Sequence, residues 1–413
     1  MSEHDYEGKR VSVESEKKTL GEALGSGAEG AVHAVENEPS AVVKIFEPEK
    51  RDEKADKVRA MIDSPPTDPS YQHGDKRSIV WPTAVAEEPN TGEFLGYRMP
   101  YKDLSEQKNA QRYARENLQW GSSSPDERYR TALNIARMFD AIHCQKHALG
   151  DLNHQNILID AEAGGFVSLI DCDAFHIKGQ GEVYPGETVF PRYTPPEGRG
   201  DTLMGVRKSD RFGLGVHIFQ LLMEGFHPYQ AQGSEAQSGS LGEMIDENDF
   251  PYENPKPGEL EPHDMAPDYQ QLPSEIRDLF SKCFGAGGKT QGWRPTAAQW
   301  TKTLEEVTGL SGKVGDDGED GDGDGDGNVT DLFPDRGADE DGDGGSGTDT
   351  GSESGESGSG NDGNGDKDDG DGNEDIEDIF GTSGGGSSTG GNSTTTADDE
   401  DDEDEDVKDI FRS

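Results

Sequence analysis

Leu149-Gly150-Asp151-Leu152-Asn153-His154-Gln155-Asn156-Ile157-Leu158-Ile159-Asp160, followed after the break Ala163-Gly164-Gly165 by Phe166-Val167-Ser168-Leu169-Ile170-Asp171-Cys172-Asp173-Ala174-Phe175, is the stretch on which the reading of the chain turns. It sets an acid at Asp151, an amide five residues on at Asn156, and two more acids, Asp171 and Asp173, at the end of the next apolar run. The runs 157–159 and 166–170 are aliphatic and aromatic, and predict two short strands joined by the glycine turn. A tight loop at that hairpin makes three oxygen-bearing side chains converge. Such a set of acids and an amide suggests the metal-and-base constellation of phosphoryl transfer. In a strand, Asp171 and Asp173 would share one face.

A second motif lies upstream. Gly25, Gly27, Gly30 and Val32 fill a G-x-G-x-x-G-x-V pattern between two predicted strands, and the run 41–46, Ala-Val-Val-Lys-Ile-Phe, follows. Glycines in such a turn let backbone amides approach phosphates without side chains in the way. Lys44 would bind the α and β phosphates of a nucleotide, and in so apolar a strand it needs an anionic partner. The helical pattern 49–62 offers Glu49, Glu53 and Asp56, of which Glu53 is favoured. Residues 79–82 and 94–100 predict strands about a polar turn, and 99–102 the connection where a base would meet Met99. A helix over 128–147 delivers the chain to Asp151.

The 413 residues carry 86 acidic and 38 basic side chains, a formal charge of -48. Residues 311–413 hold 35 of the acids and 5 of the bases, which leaves 51 and 33 for the first 310, a net of -18. A surface that acidic repels itself at low salt and is tolerated where the Debye length is near ~3 Å. The balance resembles proteins of a high-salt cytoplasm, as in halophilic archaea. It makes nucleic acid and anionic membranes poor partners. No apolar run is long enough to span a bilayer, and the first residues lack the basic and apolar regions of a signal peptide. Cys144, Cys172 and Cys283 share no metal-type spacing, which favours a reducing, cytoplasmic setting without structural zinc.

Taken together, residues 18–308 resemble a eukaryotic-type protein kinase domain of the Ser/Thr superfamily. They are similar to a prokaryotic kinase-like branch sometimes associated with helix-hairpin-helix domains. The motifs that carry the resemblance are Trp81-Pro82, Met99-Pro100, Gly150-Asp-Leu-Asn-x-x-Asn156, Ile170-Asp-Cys-Asp-Ala-Phe175 and Thr194-Pro-Pro-Glu197. The resemblance implies a bilobal α+β fold, with a β-rich lobe over 18–98, a hinge at 99–102 and a helical lobe over 103–308. It implies ATP and Mg2+ as cofactors and a protein substrate. Gly25, Gly27, Gly30 and Lys44 would bind ATP, Asp151 would be the base, and Asn156 with Asp171 or Asp173 the metal ligands, Asp171 foremost. Glu197 would pair with Arg294, and Asp210 would hold the backbone around Asp151.

Two departures stand out. Leu149-Gly150 replaces the His-Arg common before the catalytic acid, so a phosphate on the activation segment loses its familiar clamp, and Asn153 replaces a lysine near the γ-phosphate. They leave room for a nucleotide-binding, pseudokinase-like scaffold without turnover. A small-molecule kinase of the aminoglycoside or choline type is the other alternative, disfavoured by Glu197, Asp210 and Arg294.

Residues 1–17 read as loose, and from 309 the chain is Asp-, Gly- and Ser-rich and predicts disorder. Three islands recur there: Val329-Thr-Asp-Leu-Phe333, Ile376-Glu-Asp-Ile-Phe380 and Val407-Lys-Asp-Ile-Phe411. They fit either multivalent docking motifs for a partner groove or residual apolar patches. Asp322-Gly-Asp-Gly-Asp-Gly-Asn-Val329 imitates the start of a calcium loop, but Phe333 stands where the bidentate acid belongs.

Overall fold

The computed structural model describes residues 6–70, 77–103, 107–120, 125–161, 163–186, 189–198, 200–236, 240–253, 255–285 and 294–310. The islands ending at Phe333, Phe380 and Phe411 and the run 322–329 lie outside the described residues.

A closed six-stranded barrel comes first. Its strands are β1 (Arg10–Val13), β2 (Glu16–Gly27), β3 (Gly30–Val35), β4 (Ala41–Phe46), β5 (Ala84–Glu87) and β6 (Phe94–Pro100), in the order β1-β2-β3-β4-β6-β5, and the β1–β5 pairing closes it. The expectation that residues 1–17 are loose fails at β1. Val11 and Val13 alternate inward, and at 0% and 2% exposure they complete the barrel interior with Leu20, Val35, Val43 and Ile45. The short Val-Ser-Val alternation is a strand signal, but it stands in a polar context that masks it.

β4 is buried along all six residues, so its two faces serve two cores. Val43 and Ile45 point into the barrel, while Val42 and Phe46 join a second cluster with Val32, Met99, Leu158 and Ile170 outside it. The two-residue period of a strand puts Lys44 on that outer face.

Helix α1 (Arg51–Asp63) follows a 3₁₀ turn, Pro48–Lys50, and packs on β6. A small sheet of β7 (Gln107–Asn109), β8 (Ile157–Asp160) and β9 (Phe166–Leu169) comes next, with helices α2 (Ala110–Trp120) and α3 (Pro125–Cys144) between its first two strands. β8 and β9 form the expected hairpin, with Ile157 opposite Leu169. β7 and α2 lie in a segment that the expectations left unassigned, although Ala110, Tyr113 and Ala114 stand at helical spacing and form the buried face of α2.

The helical remainder is built on α3 and α4 (Leu203–Leu222), with α5 (Leu241–Glu247), α6 (Ser274–Phe284) and α7 (Ala297–Thr308) around them. Thr202 caps α4 by accepting from the Gly205 amide, and a Thr296–Gln299 capping box opens α7. The core there is aromatic: Phe219 lies edge-on to Phe280 at 4.9 Å, and Trp300 is fully buried against Phe280. Among the described residues, no helix is long and apolar enough to cross a membrane.

Candidate active site

The glycine-rich turn is the β2–β3 hairpin. Gly25 lies opposite Val32 and Gly27 opposite Gly30, with Ala28 and Glu29 at the tip. Gly30 is demanded by a close approach, since a β-carbon there would stand 2.1 Å from the Ile45 carbonyl oxygen. The β3 arm of the hairpin therefore runs edge to edge with β4, from Gly30 opposite Phe46 to Ala34 opposite Val42. Val32 pairs with Lys44 across the β3–β4 ladder, and Met99 pairs with Val42 on the other side. Strand β6 runs through Pro100, so Met99 belongs to the sheet rather than to a free hinge. Tyr101 continues the link by donating its amide to the Ser40 carbonyl at 2.9 Å.

Lys44 finds its counter-charge 129 residues away. Its Nζ lies 3.0 Å from both carboxylate oxygens of Asp173 and 3.7 Å from Asp171. Tyr97 donates to the same Asp173 at 2.7 Å. Glu53, the expected partner, does not reach Lys44. Its side chain is 49% exposed and sits 3.6 Å from Lys50. The helix begins at Arg51 rather than Glu49, and its inner face is fixed by Val58 and Met61, which turns Lys54 and Lys57 inward. Lys54 binds Glu29 at the hairpin tip at 2.7 Å, and Lys57 donates to the Pro185 carbonyl at 3.0 Å.

The two acids are not on a strand, as the sequence suggested. β9 ends at Leu169, Asp171 adopts a left-handed conformation (φ 53°, ψ 39°), and Asp173 lies in a 3₁₀ turn. Aspartate tolerates that backbone better than most residues. The turn is what lets both carboxylates face Lys44. Burial raises the proton affinity of Asp173, but Lys44, Lys54 and the Tyr97 hydroxyl more than reverse it and hold the carboxyl down at about 2. Asp171 goes the other way, raised by burial and by the charges of Asp173 and Asp151 despite the pull of Lys44.

Asp151 is 8% exposed. It accepts from the Asn153 amide at 3.2 Å and from the Asn156 side chain at 3.4 Å. Asn153 caps the 3₁₀ turn His154–Asn156, so one short loop presents both Asp151 and Asn156. Asp210, fully buried on α4, accepts from the Leu149 amide at 2.8 Å and the Gly150 amide at 2.9 Å, with the His143 ring at 2.9 Å. Gly150 has φ +73°, and a β-carbon on it would stand 2.7 Å from the His176 ring. A side chain as large as arginine has no room at that position.

Arg294, 1% exposed, makes a two-pronged pair with Glu197: Nη2 to Oε2 is 2.9 Å, and Nη1 meets Oε1. Such a pair fixes one geometry of the segment 194–197 against the helices. Sequence reading passed over a further group of side chains, Arg115 on α2, His154 beside Asp151, and Arg192. Burial and the two guanidinium groups push His154 down to about 4, so it is neutral. Its signal was only positional: Arg192 stands just before the segment 194–197, and His154 three residues after Asp151.

Among the described residues, no group of three or more His, Cys, Asp or Glu side chains is close enough to hold a metal ion unaided. The donors around Asp151 fit magnesium nonetheless, because that ion is commonly held by one or two carboxylates plus substrate phosphates. Asp171, with 24% of its side chain exposed against 1% for Asp173, and Asn156 are the residues that would hold it.

No protein-family model matches the chain. Two curated proteins are similar to it. Protein kinase YegI of Escherichia coli (strain K12) is 29% identical over 306 residues, which cover 71% of this chain and 45% of that protein. Protein kinase YegI of Escherichia coli O157:H7 is 28% identical over 301 residues, covering 70% and 44%. The chain thus spans less than half the length of the curated relatives it matches. The similarity, over about 70% of this chain, supports kinship with the protein-kinase-like superfamily.

Proposed function

We propose that this chain is an ATP- and Mg2+-dependent protein kinase that transfers the γ-phosphate to Ser or Thr of a protein substrate, on a two-lobed fold with its cleft between barrel and helices. The observation that carries the reading is the meeting of Lys44 with Asp171 and Asp173 beneath the glycine hairpin. Asp151 and Asn156 stand on the adjoining loop, and the similarity to proteins named as kinases points the same way. In this reading Gly25, Gly27 and Gly30 let the hairpin backbone approach the phosphates, and Lys44 neutralises them. Val32 and Met99 line the apolar side toward the base. Asp151 orients the acceptor hydroxyl and takes its proton, while bound magnesium supplies charge neutralisation on the phosphates. The protein works in a high-salt cytoplasm, and its tail islands at Phe333, Phe380 and Phe411 dock a partner.

A nucleotide-binding scaffold without turnover is the second reading, favoured by the absence of any α1 acid near Lys44 and by Asn153 in place of lysine. One experiment separates the two. Labelled γ-phosphate is followed from ATP with Mg2+ at high salt, with the chain itself and a generic protein as acceptors, for wild type and Asp151→Ala. Transfer that falls at least about 100-fold in the variant supports the kinase. ATP-dependent thermal stabilisation with no transfer above the variant supports the scaffold.

A further inference from the structure

In a chain whose first 310 residues carry a net charge of -18, two arginines stand together without an acid. Arg115 on α2 and Arg192 in the 3₁₀ turn Pro191–Tyr193 have no carboxylate partner among the described residues. They meet at Gln111. With its amide oriented by the hydrogen-bond network, Gln111 accepts from Arg115 Nη2 at 3.1 Å and Arg192 Nη1 at 2.9 Å and donates to His154 Nε2 at 2.9 Å. One neutral oxygen thus serves two guanidinium groups, each of which keeps further N–H donors.

The group is built rather than incidental. The stem of Arg115 lies over Gly225, whose added β-carbon would stand 2.9 Å from Arg115 Cγ. His227, 3% exposed, binds the Arg192 carbonyl at 2.9 Å and so fixes the backbone that carries the side chain. The Phe190 and Tyr193 rings pack on the His154 ring at 5.7 and 6.2 Å. Both arginines remain partly exposed. Burial, and then the neighbouring charge of Arg192, lowers the proton affinity of Arg115. An acidic chain gains nothing structurally from two like charges held side by side at a cost, unless an anion comes to them.

We propose that Arg115 and Arg192, bridged by Gln111 and backed by His154, form a subsite for an acidic side chain of the peptide that is phosphorylated. The site would select acceptor hydroxyls with Asp or Glu nearby, since His154 ties the group to the loop that bears Asp151. This rests on the kinase reading for its role, but the binding of an acidic peptide does not. The same chemistry has two sources, a separate substrate and the chain's own tail, where Ser346-Gly-Thr-Asp-Thr-Gly-Ser-Glu-Ser-Gly-Glu-Ser357 sets hydroxyls among acids.

The test uses the full chain at moderate salt and a labelled Ser peptide flanked by Asp and Glu, alongside its Asn and Gln counterpart. Binding is read by anisotropy without ATP, and phosphorylation by kcat/KM. We expect wild type to favour the acidic peptide by about tenfold in both readouts. Arg115→Met/Arg192→Met, checked for a melting temperature near that of wild type, would lose most of this preference, and Arg192→Lys would recover part of it. Equal preference in wild type and the double variant overturns the subsite. If no transfer occurs with any acceptor while the binding preference follows the arginines, the kinase reading fails and the subsite stands. Competition by a 346–357 peptide, but not by its Asn and Gln counterpart, assigns the tail as an occupant; an unaffected signal leaves a separate substrate.

Discussion

Asp171 and Asp173 are separated by one residue and share a lysine, yet their surroundings set them different tasks. Asp173 is held by both oxygens on Lys44 and by Tyr97, whereas Asp171 faces the like charges of Asp173 and Asp151. Removing the charge of Asp173 leaves Lys44 buried and short of its main partner, which should cost about 3 kcal/mol. Removing that of Asp171 relieves repulsion and should leave stability equal or higher by about 1 kcal/mol, in the manner of functional groups that are kept at a cost. The pH dependence has the same origin. The Asp173 carboxyl is held at about 2 against an ordinary 3.8, so its stabilisation is complete above 3.8 and is lost as pH falls through about 2. Asp171 is raised, so its charged form weighs against the fold at neutral pH and its protonation on acidification relieves it. Denaturant unfolding of Asp173→Asn and Asp171→Asn from neutral pH to acid checks both signs. An Asp171→Asn variant as unstable as Asp173→Asn would contradict the division of roles.

At the scale of elements, α1 is held in place without an acid on Lys44. Trp81 Nε1 donates to the Met61 carbonyl at 2.9 Å, and the His147 ring binds the Ser64 carbonyl at 2.8 Å, which pins its C-terminal end. Lys57 ties its flank to Pro185, and Lys54 ties its face to Glu29 at the glycine hairpin. The sequence showed where the helix lies, because 49–62 has the right period. The period also placed Val58 and Met61 on the buried face, and it is Lys54, one turn before Val58, that shares that face, while its neighbour Glu53 turns to solvent. Asp210 and Glu197 were legible only through the resemblance to protein kinases, because their partners lie 60 and 97 residues away in sequence. The Lys44–Asp173 pairing was not, because it depends on a left-handed turn at Asp171 that aspartate permits but does not require. If α1 steadies the hairpin through Lys54, then on the proposed kinase reading Lys54→Met and Glu29→Gln should each weaken ATP binding several-fold. The double variant should be little worse than either, with a coupling of about 1 kcal/mol. Calorimetric titration of ATP into the four proteins measures it. Strictly additive losses would mean that the pair holds nothing in common.

Over the whole molecule the opposing quantities are a large negative surface charge and a few charge pairs sealed inside. The formal charge of -48 repels itself across solvent, where the Debye length falls from about 10 Å at 0.1 M to about 3 Å at 1 M salt. Arg294 at 1% exposure and Asp210 at 0% lie where added ions do not penetrate. Salt should therefore act on the two kinds of electrostatics differently. The melting temperature of wild type should rise steadily with KCl as surface repulsion is screened. Arg294→Met, which strands Glu197 and removes the Cys283 carbonyl's donor, should lie below wild type by about 3 kcal/mol at every salt concentration. Chemical unfolding of the two proteins across a KCl series decides the matter. A deficit that shrinks as salt rises would place the Glu197–Arg294 pair among the screened surface charges. It could not then be what fixes the segment 194–197 beside Arg192.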